Sequence, residues 1–157
     1  METTQQDSEA LPGKFSRFPE VGILWMLALS FLTLGFYLLY WFFSRSRLLN
    51  ELLPEAPIPS AFIYLCCSGF FVNTALAIYT ESLEKTETIS QVAFLIYFLV
   101  NCLFLVWALM IRTRINVLVG SDSGTFAANI WWTLLLEAWY LQYKINQIKR
   151  SSFYSLM

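Results

Sequence analysis

Three stretches of 23 residues each, 21–43, 58–80 and 89–111, contain no charged side chain. As helix each is about 34 Å long, enough to cross the ~30 Å hydrocarbon core of a bilayer. Only helices and closed barrels satisfy their backbone polar groups in lipid. Unbroken apolar runs without in–out alternation read as helix. A fourth run, 126–143, is weaker: it has 18 residues and is interrupted by Asn129, Glu137 and Gln142. Of the 157 residues, 57% are hydrophobic and 13% charged, against about 25% charged in an average soluble domain. So few charges cannot keep a soluble surface of this size wet. The chain therefore reads as an all-α integral membrane protein with four apolar helical segments. Segments two and three form a central helical hairpin, and segments one and four are spanning or re-entrant.

Residues 1–19 are polar and begin acidic (Glu2, Asp7, Glu9), which reads as a mobile tail rather than a cleaved signal with a basic start. The membrane domain covers 20–150, and 151–157 form a C-terminal tail. Pro54, Pro57 and Pro59 mark the first connection, since proline cannot continue a helix. Gly120 to Gly124 has the composition of a turn, in which Ser121, Asp122 and Ser123 are placed to cap the next helix.

Ten bases set the topology, because Lys and Arg accumulate on the cytoplasmic side. Four spans would divide them six to four. If segments one and four both re-enter, every base but Lys85 falls on the cytoplasmic side, nine to one. Trp25 and Trp41 weigh on the other side of this choice. They stand 16 residues apart, about 24 Å on a straight helix, near the separation of two aromatic belts. Both topologies stay open at this level. Arg45, Arg47, Arg112, Arg114 and Lys144 read as interfacial bases that snorkel to headgroup level.

The ends of segments one and four echo each other. Phe36-Tyr-Leu-Leu-Tyr-Trp41 aligns with Trp139-Tyr-Leu-Gln-Tyr-Lys144, and Arg114-Ile-Asn116 resembles Lys144-Ile-Asn146. Convergent anchoring by aromatics and a base accounts for this, and so does an inexact internal repeat. The stretch Leu29-Ser-Phe-Leu-Thr-Leu-Gly-Phe-Tyr-Leu-Leu-Tyr-Trp-Phe-Phe43, followed by bases, resembles the domain of unknown function 4234, small membrane proteins found mainly in bacteria. Tyr140-Leu-Gln-Tyr-Lys-Ile-Asn146 resembles that family's closing segment, so the resemblance runs over 20–150. Gly35, Tyr37, Tyr40, Trp41, Gln142 and Asn146 carry the match. Where members often have a small residue before the closing segment, this chain has Glu137-Ala138. The resemblance implies the bacterial cytoplasmic membrane and no chemistry; the basic loops read as cytoplasmic from their charge.

Glu137 is the one acid well inside an apolar segment, a place where ionisable groups are functional candidates. Facing water or pairing with Lys144, two turns on, is the plainer expectation. Asn73 and Asn101 lie inside segments two and three. In a hairpin centred near Glu84-Lys85, residues whose numbers sum to about 169 share a depth. That sets Asn101 level with Ser68 and Gly69, and Asn73 level with Tyr97, each within reach of a cross-helix hydrogen bond. Cys66, Gly69, Asn73 and Ala77 form a small-residue stripe for close approach. The three cysteines, Cys66, Cys67 and Cys102, read as buried small side chains without metal or disulfide.

The chain has no histidine, and no paired acids, nucleotide loop or catalytic triad appears. No cofactor, metal, nucleic-acid partner or small-molecule ligand is implied. The expected function is a non-catalytic multi-pass membrane protein that packs against itself or a larger membrane protein within the lipid bilayer. The alternative is a small oligomeric channel or transporter lined by Glu137, Asn73 and Asn101.

Overall fold

The prolines at 54, 57 and 59 and the glycines at 35 and 120 stand where helices stop in the computed structural model, which describes residues 15–82, 87–120 and 127–154. The side chains of 81, 82 and 152–154 lie outside that description, as do residues 1–14, Glu84, Lys85 and the Ser121–Ser123 turn. Among the described residues five helices are laid out in full: α1 (Ile23–Leu32), α2 (Phe36–Leu52), α3 (Ser60–Ser82), α4 (Glu87–Val119) and α5 (Ile130–Tyr154). By contact they fall into two units, one of 58–107 and one of 1–57 with 108–157.

The 58–107 unit is an antiparallel pair made of α3 and the first two-thirds of α4. The Cys66 thiol reaches the Leu103 carbonyl at 4.0 Å, and the Phe62 and Trp107 rings meet edge to face at 6.4 Å. A β-carbon added to Gly69 would stand 3.3 Å from Val100 Cγ2. All three pairs have numbers summing to 169, so the register follows the centre set by the connecting residues. Gly69 lets the two backbones close on each other there, as small residues do between apolar helices.

Among the described residues the asparagines make no polar pair across this hairpin. Asn101 is exposed and its amide donates to the Tyr97 carbonyl of its own helix at 2.7 Å. Ser68, also exposed, turns back on Leu65. No hydrogen bond joins Asn73 to the facing helix among the described residues. The reason is geometric: Asn101 lies next to Val100, which faces Gly69, so a 100° step along the helix carries Asn101 off the seam. Cys66 is buried, Cys67 half-buried and Cys102 exposed, so the third cysteine is not a core residue. Of the small-residue stripe, Ala77 lies exposed. Tyr97 is exposed as well.

The second unit corrects the four-segment picture. The first apolar run is two helices, not one. α1 ends in a Schellman arrangement: the Gly35 N–H bonds to the Ser30 carbonyl at 2.8 Å and the Leu34 N–H to the Phe31 carbonyl at 3.2 Å. Leu34 takes φ 51° and Gly35 φ 90°, the left-handed region where a β-carbon is disfavoured. The Thr33 hydroxyl accepts the Tyr37 N–H at 2.9 Å and so starts α2. Gly35→Ala is expected to cost about 1 kcal/mol, read as a lowered unfolding midpoint in mixed detergent micelles.

The chain then doubles back. Arg45 Nη2 lies 3.2 Å from the Pro19 carbonyl, whereas 26 residues of straight helix would separate them by about 39 Å. Trp41 consequently marks no second aromatic belt. It is 2% exposed while Trp25 is 73% exposed. The fourth run is broken too, at Glu137, whose backbone takes φ 40° and ψ −117° inside α5. The Tyr140 hydroxyl accepts the Asn129 N–H at 2.9 Å, which holds the start of α5 close to the residues after the break.

The two broken elements correspond. Leu34 and Glu137, the positive-φ non-glycine residues among those described, lie 103 positions apart, the same offset that aligns Phe36-Tyr-Leu-Leu-Tyr with Trp139-Tyr-Leu-Gln-Tyr. At that offset Ser30 matches Thr133. Both are buried, and both hydroxyls donate to the carbonyl four residues back, Met26 at 2.6 Å and Asn129 at 2.8 Å. The sequence echo thus extends to backbone conformation.

Candidate functional site

A buried polar cluster holds the fold-back of the first run. Its hub is Gln142 on α5, fully buried. The Gln142 Oε1 accepts the Trp41 indole N–H at 2.7 Å and Arg45 Nη2 at 2.9 Å. Its Nε2 donates to Asn146 Oδ1 at 2.7 Å and to the Pro19 carbonyl at 3.3 Å. Asn146, one turn on, donates from Nδ2 to the Val21 carbonyl at 2.7 Å, and Lys149 Nζ donates to the Phe18 carbonyl at 3.1 Å. Residues 18–21 precede α1 in non-helical conformation, so their carbonyls have no helical ladder to enter and take donors from elsewhere. Gln142, Asn146 and Lys149 recur at three- and four-residue spacing on one face of α5, which is why one helix can supply them.

Arg45 is the unusual member. It is 2% exposed, stacks on the Trp41 ring at 5.6 Å, and has no carboxylate partner among the described residues. Its Nε is buried without a hydrogen bond. Burial pulls its pKa below the ordinary arginine value, with Tyr37 and Tyr40 acting the other way. A guanidinium nonetheless stays charged in proteins, so the cluster carries a net positive charge that carbonyl and amide dipoles and the indole face stabilise.

The same device recurs twice. Ahead of α5, the Ala128 carbonyl accepts Arg112 Nε at 2.8 Å and Asn116 Nδ2 at 3.2 Å, and the Ala128 N–H donates to Asn116 Oδ1 at 2.7 Å. At the connection before α3, Arg114 donates to Ala56 and Pro57 at 2.9 and 3.0 Å and to Met110 at 3.0 Å. Three of the five bases read as snorkelling anchors are therefore committed to backbone carbonyls. Arg47 instead makes a solvent-side ion pair with Glu51 at 3.4 Å. Lys144 donates to Gln147 at 3.0 Å, and no ion pair joins it to Glu137 among the described residues. Asn116 and Lys149 were missed as site residues. The signal was present for Asn116: Arg112 and Asn116 repeat the four-residue spacing of Gln142 and Asn146.

The cluster brings together Trp41, Arg45, Gln142 and Asn146. Tyr37 and Tyr40 pack on each other at 6.3 Å, and Gly35 sits at the break. Glu137, Asn73 and Asn101 do not join it or each other. Among the described residues no group of three or more His, Cys, Asp or Glu side chains could hold a metal. The arrangement pins backbone; it aligns no nucleophile with a base.

Comparison with known families decides what kind of chain this is: a domain of unknown function, DUF4234, matches residues 21–117. The chain belongs to the DUF4234 family. The match takes in the α1–α2 break, Trp41, Arg45 and the α3–α4 hairpin. Gln142 and Asn146 lie beyond it, so the DUF4234 region contributes Trp41 and Arg45 to the cluster and the C-terminal helix contributes the amides. No curated protein and no solved structure matches the chain.

Proposed function

We propose that this DUF4234 protein is a non-catalytic integral membrane protein that acts as an interaction or accessory subunit, with the α3–α4 hairpin crossing the bilayer. The observation that carries the reading is the exposure of α3 and α4. Both are long and apolar enough to cross a membrane, and little of either is buried within the chain. Phe71, Val72, Ile78, Phe94, Leu95 and Leu99 are all more than half exposed. A soluble protein buries helices of this composition, while lipid or a membrane partner covers them without penalty.

The fold-back of the first run and the break in the fourth support re-entrant segments over four spans. A ten-residue helix such as α1 is about 15 Å long, half the hydrocarbon core. Re-entry is tolerated where the non-helical backbone finds hydrogen-bond partners in the protein, which the Arg45–Gln142–Asn146 cluster supplies to the carbonyls of Pro19 and Val21. The topology then places every base except Lys85 on the cytoplasmic side. Single cysteines at Ser8 and Thr86, labelled from outside intact cells, are expected to give opposite results. Equal labelling would restore four spans. Crosslinking in native membranes, followed by mass spectrometry, is expected to return a stable partner or a second copy. Recovery of only the monomer would defeat the accessory role.

A further inference from the structure

The break at Glu137 opens a cavity of about 240 Å³ between α5 and α2, lined by Leu38, Phe42 and the stretch 135–139. We infer that this cavity binds a small organic ammonium with an apolar body, held by the Glu137 carboxyl and the rings of Phe42 and Trp139. Every other lining side chain is aliphatic, so Glu137 supplies the cavity's only charge. No ion pair joins it to a base among the described residues. A carboxylate beside two aromatic rings is the chemistry that recognises alkylammonium groups, which gain from the ring quadrupole and from charge pairing together. The size is suitable: a dry apolar cavity of about 150 Å³ accepts benzene, so the volume here takes a ring or branched chain with a charged arm.

The position is also strained. Glu137 holds φ 40° and ψ −117° with a β-carbon present, and such outliers gather at ligand clamps and other functional sites. The shared ligand chemistry has two sources, a free amine and an ethanolamine phospholipid headgroup.

Titration of the purified full-length protein in neutral detergent with benzyltrimethylammonium, followed by tryptophan fluorescence, is the test. Saturable binding is expected, at least tenfold tighter than that of the uncharged isostere neopentylbenzene, and Glu137→Gln should abolish the difference. Equal affinity for the two probes, or an unchanged preference in Glu137→Gln, would overturn the inference. Should that variant not purify, the charged-against-neutral comparison on the unaltered protein decides alone. Displacement by dihexanoylphosphatidylethanolamine at lower concentration than free ethanolamine assigns the site to lipid; the reverse order assigns it to a free amine.

Discussion

Replacing Gln142 with leucine is expected to destabilise the protein by about 3–5 kcal/mol, the largest loss from any single polar side chain in the cluster. Leucine fits the volume, so the effect isolates hydrogen bonding. The Trp41 N–H would lose its one partner, Arg45 would keep only the Pro19 carbonyl, and Asn146 Oδ1 would be left without its donor. Each unsatisfied buried group costs about 1–3 kcal/mol. Gln142→Glu supplies the informative contrast. A carboxylate still accepts from Trp41 and also gives Arg45 the counter-charge it lacks, so the loss should be less than half that of the leucine variant. Equilibrium unfolding in mixed micelles measures both. Equal losses for the two substitutions would show that the Nε2 donor bonds to Asn146 and Pro19, which both variants lack, hold the fold-back rather than the acceptor role of Gln142.

Glu137→Gly is expected to act in the opposite direction, stabilising by about 2 kcal/mol. At φ 40° and ψ −117° a residue with a β-carbon stores strain of about 1–3 kcal/mol, and glycine adopts the mirror-image extended region readily. The entropy glycine adds to the unfolded chain takes back part of that gain. Removing the carboxyl from an apolar cavity adds to it. Glu137→Gln keeps the β-carbon and the strain, and should leave stability within about 0.5 kcal/mol. A gain common to both variants would locate the cost in the charge; a gain confined to glycine would locate it in the backbone.

Much of the hairpin was legible because its determinants are local. The uncharged runs and the centre near Glu84-Lys85 gave a depth rule, numbers summing to about 169, which the Gly69–Val100 and Phe62–Trp107 pairs obey. Side-chain rotation about the helix was not legible in the same way, and Asn101 shows it. Depth follows from counting residues, whereas facing depends on which residue occupies the seam. The partners of the bases were not legible for a related reason. Arg45, Arg112 and Arg114 have the composition and placement of snorkelling anchors, but their partners are carbonyls brought near by folding.

By itself the sequence determined a helical, apolar chain whose second and third runs are long enough to cross a bilayer, and it pointed to the first and fourth as unlike them. Those properties rest on length, charge and periodicity, which are local sums along the chain. Only the tertiary structure decided that the first run folds back at Thr33–Gly35, that the fourth breaks at Glu137, and that Gln142 and Asn146 hold a segment more than 120 residues away. A buried carbonyl must find a donor, and which donor satisfies it is settled by where the helices lie, not by how either sequence reads alone.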